Sequence, residues 1–248
     1  MKDSVTLVLD TSTEACVVGV STRGRFVERS WEGPREHAER VLPMVQDALQ
    51  ALDVSMSEVE VIGVARGPGS FTGVRLGVCV AQGLAMAVGA RVYPLSTLAV
   101  IAQVAADRYG RDWVLAAIDA RMGEVYAAAF RRGPDGRMAI ISDEVVCAPE
   151  QLSMLLTDLP TRGYVGAGTG WCYEDILKPQ FKQVELVDKT ILPTASALDK
   201  LVDGAVLEGG GLDAADVQPV YLRNDVADPN ARKTPPFDLN AFLSSLSQ

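Results

Sequence analysis

The sequence predicts an α/β protein built from two related lobes. An apolar strand ends in an aspartate, turns and returns as a second strand at Asp10, and the same pattern recurs at Asp119. Repetition of one pattern at a spacing of about 110 residues indicates internal duplication. The 248 residues and the 48% hydrophobic content suit two such lobes, each with a packed core.

The first lobe is predicted to begin as an antiparallel meander, with apolar strands over residues 4–9, 15–21 and 25–31 separated by short turns. An amphipathic helix follows from Glu36 to Leu52, because its apolar residues recur at spacings of three and four. The remaining predicted elements are a strand at 59–64, a helix that follows a glycine-rich loop and extends to about residue 88, a strand at 91–94 and a helix at 97–106.

The polar stretch at 107–112 marks the predicted boundary between the lobes. Residues 1–106 form the N-terminal lobe, and residues 107–226 form the C-terminal lobe, with a last helix that can return to the first lobe. The second lobe opens with a hairpin of residues 114–118 and 124–130. Residues 219–223 are predicted as a late strand or extended segment, and residues 227–248 as a flexible tail.

Charge and composition exclude several classes of protein. There are 23 Lys and Arg residues against 32 Asp and Glu residues, a formal charge of −9, which argues against binding of nucleic acid by this chain alone. Four widely spaced cysteines fit reduced thiols in the cytoplasm. The N-terminus lacks a signal peptide, and the apolar run from Val78 to Ala90 is short for a membrane span, so a soluble cytoplasmic protein without membrane contact is predicted.

The polar residues Asp10, Thr11 and Ser12 at the end of the first strand form one candidate site. Hydroxyls and turn amides can hold a phosphate there, and Asp10 can hold magnesium through water. The alternative is a hairpin turn whose side chains satisfy nearby backbone amides. Asp119, Arg121 and Glu124 in the second lobe form another candidate, either as an acid/base group with an anion clamp or as a hairpin turn.

The glycine-rich loop GPGSFTGVRLG at 67–77, with Gly69 and Ser70, opens the second helix, where free amides can bind an anion. It matches neither the P-loop nor the GxGxxG pattern, so a tight strand–helix connection capped by Ser70 or Thr72 is the alternative. The stretch GYVGAGTG at 163–170 either approaches a nucleotide closely or is a strand-to-loop transition.

The second helix is apolar nearly all round, and small residues recur in it every four positions. Small side chains let another helix approach closely, so we predict that one face packs on the sheet and the other on a second protein chain. Burial inside its own lobe is the alternative. The predicted partner interface consists of His37, Val41, Val45, Gly73, Val74, Gly77, Val78, Ala81, Leu84 and Ala85.

Several motifs together resemble the TsaB (YeaZ) family over roughly residues 5–226. They are DTSTEAC at 10–16, REHA at 35–38, RGPGSFTGVRLG at 66–77, IDARMGEVY at 118–126 and PVYLR at 219–223. The resemblance implies the actin-like, sugar-kinase and Hsp70-type fold, with two duplicated lobes that each contain a mixed sheet and helices. It also implies a non-catalytic role in the synthesis of N6-threonylcarbamoyladenosine at position 37 of tRNA.

The partner implied by the resemblance is TsaD, which transfers the threonylcarbamoyl group to adenine 37 of tRNAs that read ANN codons. TsaE is expected to join the complex, the isolated chain is expected to form a homodimer through an overlapping surface, and tRNA is reached only through TsaD. No cofactor of its own is expected, although weak or shared ATP and magnesium at a junction of the complex stays open. Asp10, Thr11, Ser12, Gly69, Ser70, Asp119 and Arg121 would then form a vestigial nucleotide or phosphate cleft.

Loss of catalysis is also predicted from the residues. TsaD-type proteins carry an HxxxH metal motif where this chain reads STLAV at 96–100, and His37 is the one histidine of the sequence, so neither catalytic residues nor metal ligands are predicted. An ATP-using phosphotransferase or ATPase of the same fold is the alternative. A protease is disfavoured because His37 is far in sequence from any suitable serine or cysteine.

Overall fold

The computed structural model of the chain describes residues 4–33, 36–157 and 159–223, which form two mixed sheets. The first sheet contains β1 (Val5–Asp10), β2 (Ala15–Thr22), β3 (Arg25–Glu32), β4 (Val59–Ala65) and β5 (Arg91–Leu95). Its order is β3-β2-β1-β4-β5. The meander β1–β3 is antiparallel, while β4 pairs in parallel with both β1 and β5.

The second sheet repeats this arrangement. It contains β6 (Trp113–Arg121), β7 (Glu124–Arg132), β8 (Met138–Ile140), β9 (Val145–Cys147), β10 (Tyr164–Ala167) and β11 (Val184–Asp188). The order β11-β10-β6-β7-β8 corresponds strand for strand to that of the first sheet, with β9 paired to β7. Its parallel and antiparallel pairs also correspond. The predicted duplicated α/β fold of the actin-like class is therefore confirmed.

Helices form the layers around the two sheets. They are α1 (His37–Ala51), α2 (Phe71–Val88), α3 (Thr97–Tyr109), α4 (Leu152–Leu155), α5 (Glu174–Gln180) and α6 (Ala195–Glu208). The apolar sides of α1 and α2 cover the outer face of the first sheet, and α4 and α5 cover the outer face of the second. The two remaining helices, α3 and α6, lie between the sheets.

The two middle helices are exchanged between the lobes. α3 precedes the predicted boundary at 106/107, yet Leu98, Ile101 and Ala105 pack into the core of the second sheet. α6 belongs to the second half of the chain and packs on the first sheet. Glu28 of β3 accepts hydrogen bonds from the first amides of α6, at Ala195 (3.1 Å) and Ser196 (3.2 Å). The predicted boundary thus separates the sheets, whereas the helices cross it.

After α6 the chain returns along the first lobe as a segment that we call the strap (residues 211–223). Leu212 bridges to Val92 beside β5, and the carbonyl of Val217 accepts a hydrogen bond from Gln82 of α2 (3.1 Å). The stretch 219–223, predicted as a strand or extended segment, forms no strand. The predicted tail at 227–248 lies outside the described residues.

Within the described ranges, α2 is long and apolar enough to cross a membrane by length and composition, with 18 residues at a mean hydropathy of 1.5. The apolar run identified in the sequence, Val78–Ala90, overlaps the second half of this helix and extends two residues past its end at Val88. The core helices of soluble proteins meet the same criterion, and α2 packs one face on the first sheet, so the finding is weak evidence for a membrane.

Candidate functional site

A cleft of about 730 Å³ lies between the lobes. Its walls are the turn at 11–14, the loop at 68–73, the hairpin end at 118–121 and the end of the strap at 220–223. The structure thereby brings together Thr11, Ser12, Gly69, Ser70, Asp119 and Arg121 from the predicted cleft. The seventh predicted residue, Asp10, lies beneath the turn and is fully buried.

Asp10 is a core carboxyl group at the end of β1. Its Oδ1 accepts a hydrogen bond from the Ser12 amide (2.7 Å), and its Oδ2 has no hydrogen-bond partner among the described residues. Burial raises the pKa of Asp10 to about 6, although the bonds from Ser12 and the nearby His37 oppose the rise. This carboxyl group therefore stabilises the local turn from below and does not face the cleft.

The hydroxyl groups of the turn form hydrogen bonds within the protein. Thr11 Oγ1 donates to the Gly73 carbonyl (2.7 Å), and Ser12 Oγ pairs with Thr97 Oγ1 (2.9 Å). Thr13 Oγ1 accepts from the Ala15 amide (3.2 Å). This arrangement favours the hairpin-turn interpretation of the motif.

The glycine-rich loop packs directly on this turn. The Ser70 amide donates to the Ser12 carbonyl (2.7 Å), and the Ser70 side chain accepts from the Gly73 amide at the start of α2 (3.4 Å). A Cβ atom at Gly69 would collide with the Ser12 backbone, and one at Gly73 with the Thr11 carbonyl. Close approach of backbone to backbone is thus the reason for these glycines.

The second lobe contains an equivalent contact that the sequence pattern did not reveal. The loop after β10 packs on the end of β6, where a Cβ atom at Gly170 would lie 2.8 Å from Ala117. Thr169 Oγ1 accepts a hydrogen bond from the Asp119 amide (3.2 Å). The buried ring of Trp171 fills the space beside Gly166. The stretch 163–170 therefore contains a strand and its following loop, with Gly166 packed against the Trp171 ring.

The charges at the mouth of the cleft are paired. Arg121 contacts Asp119 Oδ2 and, across the lobes, Glu14 Oε1, each at 2.9 Å. Arg223 of the strap pairs with Glu124 and donates to the Ala120 carbonyl (3.2 Å). The actin-like fold family implies ATP and magnesium. Here the hydroxyls of Thr11 and Ser12 are hydrogen-bonded within the protein, and Arg121 and Arg223 are paired with carboxylates. The described residues of this chain by themselves therefore do not fit a triphosphate.

The histidine and the residues at the position of the HxxxH motif have structural partners. His37 Nε2 donates to the Thr13 carbonyl (2.9 Å), and its ring contacts Trp31 edge to face at 5.7 Å. Ser96 Oγ donates to Glu144, and Thr97 pairs with Ser12. No group of three or more His, Cys, Asp or Glu side chains that could hold a metal ion occurs in the described part of the chain.

The predicted partner interface on α2 requires a correction. The stripe of small residues faces the protein's own first sheet, where a Cβ atom at Gly77 would lie 2.8 Å from Thr11 Oγ1. His37 and Leu84 are partly buried. The other predicted residues are buried in the core of the chain: Val41, Val45, Gly73, Val74, Gly77, Val78, Ala81 and Ala85. Small side chains thus allow close packing of α2 on the sheet, and the exposed side of the helix consists of other residues.

We call the surface formed by the exposed residues Leu42, Cys79, Gly83 and Met86 and the half-buried Leu76 the α1–α2 face. Met86 is 73% exposed and Leu42 is 50% exposed, and a side chain added at Gly83 would meet open space. The α2 members recur at spacings of three and four, which is the signal that sequence reasoning missed.

At the start of α2, beside this face, exposed aromatic rings enclose an arginine. Phe71 is 56% exposed and Tyr221 is 48% exposed. The guanidinium carbon of Arg75 lies 3.2 Å from the centroid of the Phe71 ring and 4.6 Å from that of Tyr221. Side chains of these types are enriched among the residues that dominate binding at protein interfaces.

Comparison with known proteins gives consistent results. Residues 32–169 match the family TsaD, tRNA N6-adenosine threonylcarbamoyltransferase. The chain is 39% identical over 221 residues to the tRNA threonylcarbamoyladenosine biosynthesis protein TsaB of Escherichia coli (strain K12), covering 89% of this chain and 95% of that protein. It is 37% identical to TsaB of Haemophilus influenzae over 235 residues, covering 91% and 96% of the two chains.

A crystal structure of a protein with similarity to peptidase YeaZ from Pseudomonas aeruginosa superposes with a TM-score of 0.83 at 41% identity. The match covers 89% of this chain and 100% of that one. Since relatives of this similarity match over nearly their whole length, and the motifs of the sequence lie together around one cleft, the chain belongs to the TsaB family.

Proposed function

We propose that this chain is a non-catalytic subunit of the cytoplasmic machinery that makes N6-threonylcarbamoyladenosine at position 37 of tRNA. In this proposal it binds TsaD through the α1–α2 face and supports the transfer that TsaD catalyses. The observation that carries the proposal is that face: in a chain of the TsaB family, it is an apolar helical surface that none of the described residues covers.

The chemistry of the α1–α2 face supports a protein partner. Leu42, Leu76 and Met86 offer apolar area, and the group formed by Phe71, Arg75 and Tyr221 adds anchors at one end. The same surface would serve a homodimer of the isolated chain, so a second copy and TsaD would compete for it. TsaE is expected to join the complex, and the formal charge of −9 assigns direct tRNA contact to the partners.

The polar groups of the cleft that are hydrogen-bonded within the protein support a non-catalytic role. His37 donates to a backbone carbonyl and packs against Trp31, an arrangement that differs from a nucleophile–base pair. The hydroxyls of Thr11 and Ser12 bond within the first lobe. These contacts disfavour both the peptidase activity named for a structural relative and the alternative of a phosphotransferase.

The experiment compares two exposed apolar side chains on different helices. Met86→Glu changes the α1–α2 face, whereas the matched control Leu207→Glu changes an 80% exposed position on α6. We expect M86E to bind purified TsaD at least about thirtyfold more weakly, or ~2 kcal/mol, because a carboxylate is desolvated against an apolar partner. The measurement is titration calorimetry, with threonylcarbamoyl transfer to tRNA assayed in parallel.

The control L207E should bind TsaD as the unmodified chain does, and circular dichroism should show both variants folded. Normal TsaD binding by folded M86E would refute the assignment of the α1–α2 face. Transfer activity by the chain without TsaD would refute the non-catalytic role.

A further inference from the structure

The second lobe contacts the loop that precedes α2 through the segment between β8 and β9. Glu144 lies in that segment, and its side chain is 10% exposed. One carboxylate oxygen, Oε1, accepts a hydrogen bond from Ser96 Oγ of the first lobe. The other, Oε2, lies 3.4 Å from both Nη1 and Nη2 of Arg66. This carboxylate therefore contacts two separate points of the first lobe.

We propose that Glu144 is a positioning residue that couples the second lobe to the α1–α2 face by holding the loop from Arg66 to Ser70. The proposal rests on the proposed function for its biological meaning. Its structural part, that Glu144 sets the order of the loop at the start of α2, can be tested on the chain alone.

The backbone of the loop is attached to the first lobe at both ends, at Ser70, whose amide donates to the Ser12 carbonyl (2.7 Å), and around Arg66. The Arg66 amide donates to the Leu95 carbonyl (2.8 Å), and the Thr97 amide donates to the Gly67 carbonyl (3.0 Å). From the strap, the Val220 amide donates to the Arg66 carbonyl (2.9 Å). These bonds fix the backbone on the first-lobe side, and Glu144 adds the contact from the second lobe.

Ser96 extends the influence of Glu144 to α3. The Ser96 hydroxyl donates a hydrogen bond to Glu144. As the N-cap of α3, it also accepts a hydrogen bond from the Ala99 amide (3.2 Å). Loss of the carboxylate would leave the Ser96 hydroxyl free to turn away. It would also leave the guanidinium of Arg66, 27% exposed, without its ionic partner.

Movement of this loop would be transmitted to the proposed partner surface. The loop ends at Ser70, the N-cap of α2, and Phe71 and Arg75 occupy the first turns of that helix. A displaced N-cap changes the position of these side chains, and misplacement of interface anchors lowers affinity. Glu144 would therefore influence TsaD binding without touching TsaD.

The test measures amide hydrogen exchange by mass spectrometry on the full chain, followed by TsaD affinity. We expect Glu144→Ala to raise exchange at least tenfold in peptides covering residues 66–76 and to weaken TsaD binding at least fivefold. Glu144→Gln keeps an acceptor for Ser96 and should fall between Glu144→Ala and the unmodified chain in both measurements. The control Glu174→Ala removes an exposed ion pair with Lys178 on α5, and should leave both unchanged.

Unchanged exchange at 66–76 in folded E144A, or TsaD affinity within twofold of the E174A control, would overturn the proposal. If E144A does not fold, E144Q and Arg66→Gln decide it, because each must raise exchange in the same peptides. Failure of the unmodified chain to bind TsaD would refute the proposed function, while the exchange comparison would still decide the structural role of Glu144.

Discussion

The connection between the last two parallel strands of each sheet is an 18-residue helix, α2, in the first lobe and a 7-residue helix, α5, in the second. Both connections begin with glycines that pack on the end of the first strand of their sheet. The longer helix covers its sheet with small residues and presents Met86 and its neighbours outwards. The two sheets thus share one topology, while α2 differs from α5 in having an apolar side that the described residues leave exposed.

The two aspartate turns differ in the same way. Asp10 is fully buried, with a pKa raised to about 6 by burial, whereas the side chain of Asp119 is 20% exposed and paired with Arg121. The same residue type at the same point of the repeat is therefore a core group in one lobe and a surface ion pair in the other. Burial, which the repeat itself does not specify, decides the chemistry.

The largest expected effect concerns the two sides of α2. Gly77→Leu would force a side chain against Thr11 and β1, so we expect a loss of more than about 3 kcal/mol in the free energy of unfolding. Gly83→Leu, at an open position of the same helix, should keep or raise stability by ~0.5–1 kcal/mol. Urea denaturation measures both, and equal stabilities would contradict the orientation of α2.

The next largest effect is the pH dependence of stability, in which the two aspartates should differ. Asp10 has a pKa of about 6 in the folded chain, against 3.8 for an unperturbed aspartate, so between these pH values the unfolded chain has released a proton that the folded chain retains. Stability should therefore fall as pH rises from about 4 to 6, by about 2–3 kcal/mol, with the loss persisting above pH 6.

Asp10→Asn should remove this decrease, because the amide does not ionise, and Asp119→Asn should retain it. Urea unfolding between pH 4 and 7 measures the slopes. A decrease of the same size in D10N and in the unmodified chain would assign the effect to other groups.

The smallest effect is expected for the bridge between the lobes at the cleft mouth. Arg121 and Glu14 are 72% and 49% exposed, so Arg121→Ala should cost less than about 1 kcal/mol of unfolding free energy. Thermal denaturation at low and high salt measures this cost, which should shrink as salt screens the pair. A loss of more than about 2 kcal/mol in the free energy of unfolding would contradict this prediction, because it would show that the contact stabilises the packing of the lobes more than its exposure indicates.

Much of the first lobe could be predicted because its elements carry strong periodic signals. The predicted strand at 25–31 is observed as β3 (Arg25–Glu32), and the predicted helix from Glu36 to Leu52 is observed as α1. The short strands β8 and β9, with three residues each, have too few positions to show a period. The small residues of α2, which were predicted to meet a partner, face the protein's own sheet, because a helix that is apolar nearly all round does not indicate which side packs on that sheet.

The sequence by itself determined the α/β class, the duplication at Asp10 and Asp119, the cleft motifs and the resemblance to the TsaB family. Those features depend on local periodicity and on short motifs, which can be recognised from the order of residues alone. The tertiary structure decided that α3 and α6 are exchanged between the lobes and that the small residues of α2 face β1. It also decided that Glu144 meets Arg66 and Ser96. These contacts join residues that are distant along the chain, so their burial and pairing exist only once the two sheets have packed around the middle helices.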